Sequence, residues 1–91
     1  MSPTARRKRH IFDAIVERRC KGVTFDELCS LLELHDWELA RIAASHYVYT
    51  HAAYEGIVSM PKPHHGAEVK RTYCRQALEA ISEVEDYDDE Q

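Results

Sequence analysis

The stretch Trp37-Glu38-Leu39-Ala40-Arg41-Ile42-Ala43-Ala44-Ser45-His46-Tyr47-Val48-Tyr49-Thr50-His51-Ala52-Ala53-Tyr54 decides how this chain is read. Leu39, Ile42, Ala43, His46, Tyr47, Thr50, Ala53 and Tyr54 recur at the spacing of one helix face, with no break before Gly56. Asp36 stands in front of the run as an N-cap, so the pattern predicts a helix over about 37–55. With Leu39, Ile42, His46, Thr50 and Ala53 turned inward, Trp37, Arg41, Ala44, Ser45, Val48, Ala52 and Glu55 face out and Tyr49 lies on the flank.

Upstream of that run, Thr24-Phe25-Asp26-Glu27-Leu28 contains a Thr-x-x-Glu capping box followed by Leu28, Leu31 and Leu32 on one face, a helix that ends near Leu34. Before it, Ile11, Phe12, Ile15, Val16 and Cys20 mark a first helix, which Gly22 stops. That helix grows out of the basic run Arg6-Arg7-Lys8-Arg9, read as an N-terminal arm over 1–9. Downstream, Ile57-Val58-Ser59-Met60 is β-prone and Pro61-Lys62-Pro63-His64-His65-Gly66 reads as a loop. Val69-Lys70-Arg71-Thr72-Tyr73-Cys74-Arg75 alternates like a strand, so a hairpin is expected. Leu78, Ile81 and Val84 predict a short C-terminal helix over 76–84.

With 91 residues, 44% of them hydrophobic, the chain has material for one core, taken as a domain over 10–84 between the arm and an acidic, disordered tail over 85–91. The net charge of −4 is unevenly spread. Glu83, Glu85, Asp86, Asp88, Asp89 and Glu90 crowd the last nine positions, where no cation occurs, while all 12 cations share the remaining chain with ten acids. Those cations gather at the two ends of the body and leave an acidic middle. No apolar run approaches the length of a membrane span and none follows the Arg-rich start as a secretory signal requires, so a cytoplasmic location without membrane contact is expected. Cys20, Cys29 and Cys74 have no framework spacing, which predicts free thiols in a reducing compartment.

Helix, helix, short turn, helix and β-hairpin is an order that resembles the winged helix-turn-helix superfamily. Thr24-Phe25-Asp26-Glu27-Leu28 resembles the entry to its second helix, the turn before Asp36-Trp37 the gap before its recognition helix, and Tyr54-Glu55-Gly56-Ile57-Val58 the exit into its wing; Lys70-Arg71-Thr72-Tyr73 is similar to the returning strand. The resemblance covers roughly residues 8–76 and implies a mainly α (α+β) fold of three helices, a β-hairpin wing and a short C-terminal helix. It also implies a small transcriptional regulator that binds double-stranded DNA as a dimer.

On that reading Arg41 and Ser45, with Trp37, approach the bases, while Arg6, Arg7, Lys8 and Arg9 of the arm and Lys62, His64, His65, Lys70 and Arg71 of the hairpin hold phosphates. A second reading keeps the fold as a protein–protein interaction module, an inhibitor or adaptor, in which Trp37, Val48, Tyr49 and Ala52 form an apolar stripe for a partner or a second copy. No enzymatic activity, metal site or cofactor is expected. His46 and His51 are five residues apart rather than four, His64 and His65 are adjacent, and neither a Gly-rich phosphate loop nor a nucleophile elbow occurs.

Overall fold

In the computed structural model, which describes residues 3–64 and 67–87, the chain runs α1 (Pro3–Glu17), α2 (Phe25–Leu34), β1 (Glu38–Ala43), β2 (His46–His51), β3 (Tyr54–Pro61) and α3 (Arg71–Glu85). The three strands form one antiparallel sheet in the order β1-β2-β3. Residues 37–55 are therefore not a helix. Tyr47-Val48-Tyr49-Thr50 is dense in aromatic and β-branched side chains, which lose rotamer freedom in a helix and pack well on a pleated surface. Tyr49 and Tyr47 point to one side, opposite Val58 and Met60 of β3, while Val48 points to the other, opposite Arg41 and Ser59. Ala43 pairs with His46 and His51 with Tyr54, so Ala44-Ser45 and Ala52-Ala53 are two-residue turns.

Among the described residues the expected winged hairpin is absent as well. The strand at Ile57–Met60 exists but returns from β2, and the alternation over residues 69–75 yields to helix α3. Cys74, Ala77, Leu78, Ala80 and Ile81 of that helix are all buried, and this longer 3.6-residue period outweighs a few alternating positions. Pro61 and Pro63 end β3 by withholding backbone donors.

Helix α2 has the expected capping box: Glu27 N–H donates to Thr24 Oγ1 at 3.1 Å and Thr24 N–H donates to Glu27 Oε1 at 2.9 Å. Phe25, Leu28, Leu31 and Leu32 bury its inner face against Tyr49, Val58 and Met60 of the sheet and Ala77 and Ile81 of α3. The two helices begin at the same end of the molecule. Phe25 meets the ring of Tyr47 with centroids 5.0 Å apart, and Val69 N–H, just before α3, donates to Val23 O at 2.9 Å.

Helix α1 carries the basic run that was read as an arm and covers the core with Phe12 and Ile15. It also holds the segment after α3. Arg9 lies 4.3 Å from the Tyr87 ring centroid and donates to Tyr87 O at 3.2 Å, while Lys8 pairs with Glu85 at 3.6 Å. Residues 88–91 of the predicted tail lie outside the described residues. Among the described residues, no helix is long and apolar enough to cross a membrane.

Candidate functional site

The end of the sheet at the β1–β2 turn brings together residues from four segments. Ala44 sits in the turn with φ 56°, and Lys62 N–H donates to Ser45 O at 2.9 Å, which ties the exit of β3 to the turn. His46 follows as the first residue of β2, exposed, with Pro61 as its partner across the sheet. By strand alternation it shares its side with Arg41 of β1, on the surface turned away from the helices. The result is an exposed imidazole at the turn end of the sheet with Arg41 of the neighbouring strand on the same side.

The helices add charge at this same end. Lys70 and Arg71, both exposed, stand at the start of α3, whose first turn holds no acidic residue and whose N-cap makes no side-chain hydrogen bond. The first backbone N–H groups of that helix thus keep their partial positive charge for an outside anion. At α2 the same charge is already answered by Asp26 and Glu27. The Thr24 N–H, with Arg18 beside it, holds the Glu27 carboxyl below its ordinary range.

Arg41 and Ser45, expected at the bases, lie beside His46, whereas Lys62, expected to hold phosphate, turns to the helix side of the sheet, its Nζ 5.9 Å from the Tyr47 ring centroid; His64, exposed, follows two residues later. His65 lies outside the described residues. On α1, Arg6 and Arg7 are exposed, whereas Lys8 and Arg9 are engaged by Glu85, Asp13 and Tyr87. The apolar stripe is not brought together. Trp37 is 2% exposed, Val48 3% and Tyr49 2%, and Ala52 sits in the β2–β3 turn at the opposite end of the sheet. Strand pairing turns Tyr49 towards Val58 and Val48 to the other side of the sheet, so the two cannot share one stripe.

His46 is the residue that sequence reasoning missed, because the helical reading turned it inward. The available signal was local: Ala44-Ser45 separates two runs with strand chemistry, which makes His46 the first side chain after a tight turn. Among the described residues, no group of three or more His, Cys, Asp or Glu side chains is placed to hold a metal ion. The cysteines are free, as expected, and not activated. Cys74 is buried in contact with Cys20, and burial pushes its thiol up, as it does that of half-buried Cys29, away from the thiolate a nucleophile needs.

A family model described as HicA toxin of bacterial toxin-antitoxin matches residues 25–82, from the start of α2 to the last turns of α3. No curated protein and no solved structure matches the chain. The matched segment has the order α-β-β-β-α of a double-stranded-RNA-binding-like fold, which replaces the winged helix-turn-helix resemblance. It corrects the functional expectations too. A toxin family stands where a transcriptional regulator or an adaptor was expected, and because HicA toxins are endoribonucleases, the expectation of no enzymatic activity is overturned. Double-stranded DNA gives way to RNA and an antitoxin as the family's partners.

Proposed function

This chain belongs to the HicA toxin family, and from that premise we propose that it cleaves RNA as the toxin of a toxin–antitoxin pair, with His46 as the proton-transfer group. The observation that carries the assignment is the exposed imidazole at the β1–β2 turn, on the same side of the sheet as Arg41 and facing away from the core. Imidazole is the side chain suited to take and give protons near neutral pH. RNA brings its own nucleophile, the 2′-hydroxyl. His46 accepts the 2′-hydroxyl proton as the oxygen attacks the adjacent phosphorus, the new O–P bond forms, and the P–O5′ bond breaks with the 5′-oxygen taking a proton from solvent at this open edge. Arg41 stabilises the charge that builds on the phosphoryl oxygens, and Lys62, Lys70, Arg71 and His64 hold neighbouring phosphates. The site of action is the cytoplasm, where its RNA is, and the antitoxin silences the protein by covering this edge.

His46→Ala should lower the rate of cleavage of an RNA oligonucleotide by about 100-fold or more. The thermal midpoint should not move, because the side chain is exposed. Cleavage by His46→Ala at the parent's rate overturns the role of His46, and a parent that cleaves no RNA overturns the reading as a whole.

A further inference from the structure

We propose that Arg19, Arg71 and Arg75 form a phosphate-binding pocket that holds an RNA strand beyond the cleavage edge, an inference that rests on the RNA-cleaving reading above. The three arginines, with Val16, Cys20 and Leu78, line a pocket of about 380 Å³ between α1 and α3, and among the described residues no carboxylate lines it. Arg71 and Arg75 are one helical turn apart on α3, while Arg19 comes from the turn after α1, where its backbone has φ 55° and its N–H donates to Val16 O at 2.9 Å. None of the three guanidinium groups makes an ion pair or hydrogen bond among the described residues.

Other arginines of the same elements behave differently. Arg9 pairs with Asp13 at 3.1 Å and Arg18 with Glu27 at 3.3 Å. Like charges at i and i+4 oppose helix formation, so Arg71 and Arg75, with Arg19 brought to the same pocket, are an arrangement that folding alone does not favour. An anion removes that repulsion. Its chemistry is set by the donors: planar guanidinium forks match phosphate oxygens two at a time, and the uncapped N–H groups at the start of α3 strengthen the field in the same place.

The neighbouring groove marks where the site stops. Further along α1 and α3 it is lined by Asp13, Glu79 and Glu83 as well as Arg9 and Arg75, so the groove turns from basic to acidic towards the C-terminal end of α3. Arg71 adjoins Lys70 at the start of α3, and both are exposed. Arg19 precedes the segment matched by the family model, so the α1–α2 turn completes the pocket from outside that segment. The pocket thus offers an RNA backbone an anchor separate from the cleavage site.

The test uses the full chain carrying His46→Ala, so that RNA stays intact, and measures fluorescence anisotropy of a labelled single-stranded RNA of about 20 nucleotides across a salt series. Adding Arg19→Ala and Arg75→Ala should weaken binding on the order of 10-fold and make the slope of log K against log salt shallower by about 1.4, two phosphates at roughly 0.7 each. Replacing both with Lys should restore the slope but only part of the affinity, since the charge returns without the fork. If the His46→Ala chain binds RNA and the double Ala variant binds it with unchanged slope, the pocket is refuted while the RNA reading stands. If the His46→Ala chain binds no RNA at low salt, the RNA reading itself fails. A polyglutamate peptide that competes as well as RNA of equal charge shows a general acidic dock and also refutes the phosphate assignment.

Discussion

His35 is the one buried polar residue among the described side chains, and its two hydrogen bonds fix its proton. Nδ1 lies 2.8 Å from Leu31 O, a carbonyl that can only accept, so Nδ1 carries the hydrogen. Nε2 is then free to accept from the Tyr87 hydroxyl at 3.0 Å. This neutral tautomer joins the end of α2 to the segment after α3. Burial holds the imidazole below its ordinary value of 6.5, with Lys8 adding to the shift, against the pull of Leu31 O, Glu85 and Asp36. The sign follows directly. As pH falls below about 6.5 the unfolded chain takes up a proton that folded His35 refuses, so the native state loses stability until the lower folded value is passed. Urea titrations should show stability declining from pH 7 to pH 5, and His35→Gln should flatten that decline; a parent with constant stability across the window contradicts the assignment. The sequence placed His35 beside a turn, but its role depends on Tyr87, 52 positions away, which no local pattern could reveal.

At the scale of elements, the two-residue turns determine where the functional side chains go. Ala44 holds φ 56°, a region where Cβ crowds the following carbonyl at a cost of about 1–2 kcal/mol. Glycine escapes that cost but loses more freedom on folding, by roughly 0.5–1 kcal/mol. Ala44→Gly should therefore stabilise the fold slightly, raising the melting midpoint by about 3 °C. It should leave the turn and His46 in place, and a lower midpoint would show that the turn does not hold this conformation. The capping box of α2 was legible because each partner lies within one turn of the other and the reward is local. The strands were not, because Leu39, Ile42, Tyr47 and Tyr54 satisfy a helical spacing as well as a strand one. What separates the two is the pairing of Tyr47 with Met60 and Tyr49 with Val58. Arg41 and Ser45 reached the candidate site on either reading because both were singled out by chemistry rather than by conformation.

Across the whole molecule the charge is arranged end to end. The starts of α2 and α3, the β1–β2 turn and the exit of β3 share one end with Arg41, Lys62, Lys70 and Arg71, while Glu85 and Asp86 lie at the other end of α3. A net charge of −4 is thus compatible with a polyanionic substrate, since binding responds to the local field rather than to the sum. Binding of single-stranded RNA by the His46→Ala chain should weaken steeply with salt, with a log–log slope between about −3 and −4 for four to six phosphate contacts. A slope near zero would show that these cations do not meet phosphates.

The sequence by itself determined the helices whose stabilising interactions are local, the capping of α2, the free thiols and the segregation of cations from acids. These follow from residue identity and from neighbours within a turn. Only the tertiary structure decided that residues 38–61 form a sheet, that Trp37, Val48 and Tyr49 are buried, and that His46 stands exposed on the same side of the sheet as Arg41. The physical reason is that strand pairing is made across the chain. A side chain's face depends on which strand answers it, and that answer comes from residues whose distance along the sequence leaves no periodic trace.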